Sequence, residues 1–334
     1  MVKNRLCALL NIRYPIIQAP MNWVSGADLV AAVSDAGGLG TIGPNAGAKT
    51  ITSDVALVGE RLRGQIRKVK TLTDKPFAVN INIGVGDARK FSQKCVEVII
   101  EEGVTAAILS VGSPEVYCKA LQDAGIKVLA AISTVKHAVK AEQIGVDAVI
   151  CEGYEAGGHK GFTELTTFVL VPMVADAVKI PVVAGGGIAD ARAVLAALVL
   201  GADGVYIGTR FMVTHESDSH STVKEAIVKA EDASTVSVRK QHMLCRDLRN
   251  QFTQTYSELE AASGASAEIV LEFLGEHSPY SAQVLGDHDG SELHSGQVAG
   301  LIKSVVSASE VVQGIVNEIS PKVEELRQKS SIFC

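Results

Sequence analysis

Between residues 14 and 212 the chain repeats one pattern: a short apolar run, a longer stretch with helical periodicity, and a turn of small residues. The apolar runs are continuous rather than alternating, which is typical of parallel strands that are buried on both faces. They lie at 14–20, 39–43, 77–83, 105–111, 127–133, 147–153, 181–187 and 203–209. Eight strand–helix repeats favour a closed (β/α)8 TIM barrel, an α/β fold, over an open doubly wound sheet.

The helical stretches between these strands lie at 27–38, 90–103, 114–125, 134–145, 165–178 and 189–201, and several end in Gly, which is common just after a helix. After Arg210 the strand pattern stops, and 220–262, 265–275 and 297–328 are predicted as helices. We therefore predict a TIM barrel formed by 1–214 and 297–334. The intervening residues 215–296 are predicted to form a smaller α-helical appendage that acts as a substrate lid.

Composition narrows the class of protein. The 334 residues carry a net charge of −6, and no basic run is present, so we expect no nucleic-acid partner. No apolar stretch is long enough to span a bilayer, and the first residues are too polar for a signal peptide. The six cysteines are scattered and form no CxxC pair or metal-ligand spacing, so we expect reduced thiols, no metal and a cytoplasmic protein. A homodimer is left open.

Glycines follow two neighbouring strands near the end of the predicted barrel. Gly185, Gly186 and Gly187 end strand seven, and Gly208 and Thr209 end strand eight. The loops after strands seven and eight commonly bind phosphate in TIM barrels, because glycine lets backbone N–H groups approach an anion. The alternative is that these glycines only form tight turns. Arg210 is equally compatible with neutralising a phosphate and with a structural ion pair.

A second group of candidates follows strand six, in the segment EGYEAGGHKG (152–161). The density of glycine excludes a helix, so His159 is predicted to lie on a loop at the barrel mouth. A neutral imidazole there can take or return a proton near pH 7. Gly157 and Gly158 would let the main chain approach a flat ring, and Glu152 would accept hydrogen bonds. The alternatives are a solvated histidine and a surface ion pair.

Two further polar or soft positions follow strands one and three. Pro20 fixes the exit of strand one, and Met21 could lie against a cofactor or pack in the barrel wall. Asn80 is polar within an otherwise apolar run, so it needs a hydrogen-bonding partner, which a cofactor could supply. In the appendage, Tyr256, Tyr280 and His288 are polar candidates for the substrate pocket.

These motifs together resemble the nitronate monooxygenases, formerly called 2-nitropropane dioxygenases, and the flavin-dependent enoyl-acyl-carrier-protein reductases that share their fold. The N-terminal segment 4–43, the loop EAGGHKG (155–161) and the segment 181–211 are all similar to that family. The resemblance implies an FMN-binding oxidoreductase in which His159 is the catalytic residue. The residues implied to bind FMN are Pro20, Met21, Asn80, Glu152, Gly157, Gly158, Gly185, Gly186, Gly187, Gly208 and Thr209.

The resemblance leaves two activities open for a small-molecule substrate. The first is oxidation of alkyl nitronates by O2 to carbonyl compounds and nitrite. The second is NAD(P)H-dependent reduction of an enoyl thioester or a quinone. A third hypothesis, from a different class, is a barrel that binds a phosphate ligand without catalysis. Residues 134–149 look more like the nitronate branch and its quinone-reducing relatives, whereas 165–174 and 246–260 look more like the acyl-carrier-protein reductases. We expect the first activity.

Overall fold

The computed structural model describes residues 4–240, 243–262 and 267–333. Eight parallel strands form one nearly closed barrel in the order β1-β9-β8-β6-β5-β4-β3-β2, and a bridge between Ile17 and Leu39 joins its two ends. All eight predicted barrel strands and the (β/α)8 fold are therefore confirmed. The barrel strands are β1 Ile16–Gln18, β2 Gly40–Ile42, β3 Phe77–Asn82, β4 Ala106–Ser110, β5 Lys127–Ile132, β6 Ala148–Glu152, β8 Val182–Gly185 and β9 Gly204–Ile207.

Helices surround this barrel and cover its outer face. The described helices are α1 Arg5–Leu10, α2 Ala27–Asp35, α3 Val55–Leu72, α4 Arg89–Glu102, α5 Cys118–Asp123, α6 Val135–Ile144, α7 Thr167–Ala177, α8 Ala191–Val199, α9 Thr209–Met212, α10 Ser221–Val228, α11 Gln251–Ala261, α12 Ala267–Glu276, α13 Pro279–Gln283 and α14 Ala308–Ser330. Short 3-10 segments lie at Gly86–Ala88, Pro114–Val116, Gln297–Leu301 and Ser331–Phe333. The last helix, α14, packs against α2 and α8, so the chain returns to the barrel wall as predicted.

Local sequence explains where several of these helices begin and end. The Thr134 hydroxyl accepts from the His137 N–H at the start of α6, and Gly145 ends that helix in a left-handed conformation. At the start of α14, Ser307 and Glu310 form a reciprocal capping box. Such caps satisfy N–H and C=O groups that have no partner inside the helix.

Alternate residues of the barrel strands enter two different cores. Along β4, Ala106 and Ile108 belong to the barrel interior, whereas Ala107 and Leu109 face the surrounding helices. Leu6 and Leu10 of α1, both fully buried, join the interior core. The interior is thus a packed apolar core, and we expect a binding site above it, at the carboxyl ends of the strands.

The appendage differs from its prediction in one respect. Helices α10, α11, α12 and α13 agree with its expected helical character, but the assignment of all of 220–262 to helix is wrong. Strands β10 (Thr235–Lys240) and β11 (Met243–Leu248) form an antiparallel hairpin there. A third short strand, β7 (Gly158–Lys160), pairs with β11 and so joins the histidine loop to the appendage. The division at 215 and 296 stays a prediction.

No described helix is long and apolar enough to cross a membrane. Among the described residues, Cys7, Cys95, Cys118, Cys151 and Cys245 are all free thiols, and Cys334 lies outside that part of the chain. Burial raises the pKa of Cys95 to about 11 and that of Cys151 to about 12, so both are neutral thiols near pH 7.

Candidate active site

A polar layer lies directly above the apolar barrel interior. Ala148 and Ile150 of β6 point inward, so Glu152, two residues further along the strand, points the same way. Glu152 is in register with Gly185 on β8, which is in register with Tyr206 on β9. Three neighbouring strands therefore place a carboxyl, a glycine and a phenol side by side at the mouth. A Cβ atom on Gly185 would lie 3.2 Å from the Tyr206 ring, so the glycine permits this close approach.

Glu152 shares its surroundings with a buried lysine. Burial raises the pKa of Glu152 to about 7, although the ammonium group of Lys160 lowers it. Burial, together with the nearby Arg246, lowers the pKa of Lys160 to about 8. The Lys160 ammonium donates to the carbonyl oxygens of Tyr154 and Ala156, at 3.0 and 2.9 Å, and so fixes the loop that precedes β7.

His159 lies on the opposite face of the small sheet from Lys160. In that sheet His159 is in register with Cys245, and residues in register on antiparallel strands share a face. Asp247, two residues beyond Cys245, lies on the same face and forms a bridge with His294. One edge of β11 thus carries both histidine segments. Their rings meet edge to face, with centroids 4.8 Å apart and an interplanar angle of 77°.

His294 is anchored by carboxylates on two sides. Its Nδ1 lies 2.7 Å from an oxygen of Asp247, which is fully buried, and 3.5 Å from an oxygen of Glu292. The ammonium group of Lys240, on the same sheet face, binds that same oxygen of Glu292. The Nε2 of His294 has no hydrogen-bond partner among the described residues, and neither ring nitrogen of His159 has one.

The two imidazoles differ in charge because their surroundings differ. Densely packed protein around His159, and then the charge of His294, lower its pKa to about 3, although its ring is exposed. Burial also opposes the charge on His294, but Glu292 and the hydrogen bond to Asp247 outweigh burial and raise its pKa. Near neutral pH, His159 is therefore neutral, whereas the pKa of His294 is shifted upward, towards the cation.

The glycine-rich end of the site is made of backbone. Gly186 and Gly187 have φ angles of +95° and +75°, a region that glycine adopts freely and other residues rarely do. Among the described residues, the N–H groups of Gly186, Gly187 and Gly208 have no acceptor. Arg210 does not face them, because its guanidinium donates to the carbonyl oxygens of Val213 and Ser304 at 2.7 and 2.9 Å. Among the described residues Arg210 forms no ion pair, so the predicted ion pair is replaced by hydrogen bonds to two backbone carbonyl oxygens.

The glycine and histidine ends are joined by the segment that leads out of the appendage. The Thr209 hydroxyl accepts a hydrogen bond of 2.9 Å from the buried N–H of Gly296. A Cβ atom on Gly157 would lie 2.6 Å from the Gly296 nitrogen, so the missing side chain lets residues 295–296 pack on the histidine loop. At Gly158, where φ is +77°, the nearest atoms to an added Cβ belong to His294, at 3.6 Å.

The remaining sequence candidates have protein partners in the structure. Pro20 and Met21 are half-buried, and Met21 packs against both the barrel wall and the core of the appendage. The Asn80 amide donates to Asn82 at 2.8 Å, and its oxygen accepts from Ser110 at 3.2 Å. A cofactor is therefore not needed to satisfy Asn80, and its contact with one stays a prediction.

The appendage candidates lie in different places. Tyr280 packs edge-on against Trp23, at 4.9 Å between ring centroids, and its hydroxyl donates to the carbonyl oxygen of Lys49. These contacts connect the appendage to the barrel mouth. Tyr256 is buried in a separate small core with Val238 and Phe252. His288 is exposed.

Sequence reasoning missed Asp247, Glu292, His294, Lys240 and Arg246, all of which lie close to the histidine loop. The missed signal was the alternation of TVSVRK (235–240), which has the period of a half-buried strand rather than of a helix. Two residues separate this run from the next strand, a spacing typical of a hairpin. Recognising the hairpin would have placed Asp247 on a strand, but not beside His294.

The family model named nitronate monooxygenase matches residues 3–318 of this chain. The chain belongs to the nitronate monooxygenase family. A probable nitronate monooxygenase from Staphylococcus aureus is 32% identical and is matched over 95% of this chain and 98% of its own length.

Other relatives carry different names. A (3aS,4S,5R,7aS)-5-hydroxy-7a-methyl-1-oxo-octahydro-1H-indene-4-carboxyl-CoA dehydrogenase from Mycobacterium tuberculosis is 34% identical over 94% of this chain and 95% of its own. The solved structure of FabK from Thermotoga maritima superimposes with a TM-score of 0.89 at 39% identity, covering 98% of this chain and 100% of that one. Membership of the nitronate monooxygenase family thus identifies the chain as an oxidoreductase, but the names of its relatives point to different substrates.

Proposed function

We propose that this chain is an FMN-dependent oxidoreductase that oxidises alkyl nitronates with O2 to carbonyl compounds and nitrite. One observation carries the proposal. Three N–H groups at the exits of β8 and β9, which have no acceptor in the described part of the chain, lie around one barrel mouth with the exposed, neutral His159 beyond β6. This arrangement provides an anion-binding end and a proton-accepting end for one elongated ligand.

The residues at the mouth fit FMN. The N–H groups of Gly186, Gly187 and Gly208 would hold the terminal phosphate, since no protein acceptor competes for them among the described residues. Glu152, in the polar layer above the apolar interior, would accept hydrogen bonds from the ribityl chain or the ring. When bound, FMN supplies the electron acceptor and donor that the side chains of this site lack.

His159 acts on the substrate in this proposal. Its imidazole is uncharged near pH 7 and has no protein partner in the described part of the chain. It orients a nitronate or, with a neutral nitroalkane, removes the proton on the carbon that bears the nitro group.

The second candidate is redox chemistry on an acyl thioester or a quinone with NAD(P)H. The observation that favours it is the relative named as a carboxyl-CoA dehydrogenase, which is as similar to this chain as the probable nitronate monooxygenase is. The same His159 and the same glycine end would serve this reaction, and only the substrate and the source of electrons change.

One anaerobic experiment separates the candidates. The purified protein is examined for flavin absorbance, and the bound flavin is identified after denaturation. It is then mixed without O2 with an alkyl nitronate and, separately, with NADH or NADPH. Bleaching by the nitronate alone supports the first activity, and bleaching by a nicotinamide alone replaces it with the second. A colourless protein that takes up no FMN contradicts both.

A further inference from the structure

The side-chain cluster around His294 is not used by the function proposed above. It lies on the face of the small sheet that carries His159, and it joins segments far apart in sequence. The titratable and charged groups that face His294 from the elements packed against it are His159, Lys240, Cys245, Asp247 and Glu292. Such a group of charged residues beside an exposed imidazole requires a reason, because burying charge is costly.

We propose that His294, fixed by Asp247, is a second substrate-binding imidazole whose Nε2 donates a hydrogen bond to an anionic oxygen on the planar reacting centre of the substrate. This proposal rests on the function proposed above and names the chemistry that the site recognises. The anionic oxygen belongs either to a nitronate or to the enolate of a thioester.

The geometry assigns the direction of this hydrogen bond. Asp247 Oδ1 lies 2.7 Å from Nδ1, so the Nδ1 hydrogen is committed to the carboxylate and only Nε2 is left for a ligand. The other oxygen of Asp247 is buried without a partner in the described structure. A buried carboxylate with one hydrogen-bond donor is stabilised most by a donor that is itself charged.

The contact between the rings explains why two histidines are present. Two cationic imidazoles with centroids 4.8 Å apart would repel each other, so only one of them carries the charge. Asp247 and Glu292 stand beside His294, whereas the register partner of His159 is the uncharged thiol of Cys245. His159 is left as the neutral base and His294 as the cation that an anionic oxygen would meet.

A metal ion is the competing occupant of this cluster. One ligand atom from each of His159, Glu292 and His294 lies within 4.8 Å of the others. The ammonium group of Lys240, however, already binds the Glu292 carboxylate, and the buried Lys240 side chain has only 12% of its surface exposed. A divalent ion would have to displace this buried cation. The charges of the cluster therefore favour a protonated imidazole.

The first test measures charge without any substrate. The imidazole nitrogens of the holoprotein are titrated by NMR, with His294→Gln and His159→Gln used to assign the two rings. We expect His294 to stay doubly protonated above the pH at which an ordinary histidine titrates, and Asp247→Asn to lower its pKa. His159 is expected to stay neutral. A His294 ring that is already neutral at pH 6.5 overturns the proposal.

The second test measures binding of an anion against its neutral counterpart. Propane-2-nitronate and 2-nitropropane share a skeleton and differ in charge, and calorimetry without O2 on the holoprotein, with its flavin reduced beforehand, reports the binding of both without turnover. His294→Gln is expected to weaken nitronate binding about 10- to 100-fold and to change nitroalkane binding less than about twofold, as for a hydrogen bond to a charged group. His277→Gln, in the same appendage, is the matched control, since its Nδ1 binds the carbonyl oxygen of Gly290 and its ring packs on Phe273.

Kinetics distinguish the two sources of the anionic oxygen. A nitronate is charged before reaction, so His294→Gln raises KM for it. A thioester develops its charge only in the transition state, so the same variant lowers kcat on crotonyl-CoA with NADPH and leaves KM nearly unchanged. With a nitronate, kcat/KM falls as pH rises through the pKa of His294, and Asp247→Asn moves this fall to lower pH.

The remaining outcomes are also decisive. If His294→Gln matches wild type on both ligands within about twofold, or if the protein retains one Zn²⁺ that His294→Gln loses, the proposal is wrong. If the NMR charges are as expected and nitronate binds but is not turned over, the proposed oxidation fails while the role of His294 stands. If nitronate does not bind and thioester is not turned over, both fail.

Discussion

The two ends of the candidate site are built in different ways. The glycine end consists of backbone N–H groups from two loops that follow neighbouring strands, β8 and β9. The histidine end consists of side chains from β7, β10, β11 and residues 292–294, held together by pairing with β11. The first is a local device, whereas the second depends on where the appendage packs. Substitutions at the two ends are therefore expected to separate cofactor retention from turnover.

The largest effect is expected from His159→Ala. It removes the exposed, neutral imidazole while leaving the glycine end intact, so bound flavin should be retained and turnover should fall about 10²–10⁴-fold. Flavin absorbance measures cofactor retention, and steady-state rates on the substrate that the anaerobic experiment identifies measure turnover. His137→Ala, at an exposed position on α6, is the control and should match wild type. If the variant loses flavin but keeps normal turnover per bound flavin, His159 serves cofactor binding rather than turnover.

The converse change is Gly186→Ala. The φ angle of Gly186 is +95°, and an added Cβ would lie 3.1 Å from both the Ala156 nitrogen and the Gly153 carbonyl oxygen. Strain of this kind costs about 1–3 kcal/mol, so we expect weaker FMN binding and a lower free energy of unfolding. Calorimetry with FMN and urea unfolding measure these.

Gly64→Ala is the matched control for that variant. Gly64 lies within α3, and no atom lies within 4 Å of an added Cβ. It should raise the free energy of unfolding by about 0.5–1 kcal/mol, since alanine favours a helix. If both variants behave alike, backbone conformation at Gly186 does not matter to the site.

A smaller effect is expected from cutting the link between the two ends. Thr209→Val removes the acceptor of the buried Gly296 N–H, which should cost about 1–2 kcal/mol of unfolding free energy. Thr209→Ser keeps the hydroxyl and should restore most of that loss. A Val variant as stable as wild type would show that the two ends are coupled in some other way.

A last effect concerns the pH dependence of stability. The pKa of Glu152 is about 7 in the folded chain against 4.5 ordinarily, so the folded state binds an extra proton between these values. The stability that this proton provides is fully present below pH 4.5 and is lost as pH rises through 7. Cofactor-free Glu152→Gln should therefore gain stability relative to wild type between about pH 5 and about pH 8, measured by urea unfolding. If the stability of the variant and that of wild type change with pH in the same way, the Glu152 carboxyl is solvated in the folded chain.

The amino-acid sequence alone was enough to predict the barrel. The eight apolar runs, each bounded by small residues, predicted strands such as 148–152 and 204–207, because burial on both faces favours a continuous apolar run. The sequence was also enough to predict glycine-rich loops after β8 and β9, since the glycines and their position after a strand can be read from it. The position of His159 at the barrel mouth followed in the same way.

Which residues lie next to His159 was decided only by the tertiary structure. Asp247 and His294 are 47 residues apart, and their contact depends on the hairpin pairing with β7 and on the path of residues 292–296 across the mouth. The pattern along the chain reports which residues are buried locally, but not which distant side chains meet. The pKa of each histidine depends on those contacts, so the opposite pKa shifts of His159 and His294 could not be predicted from sequence.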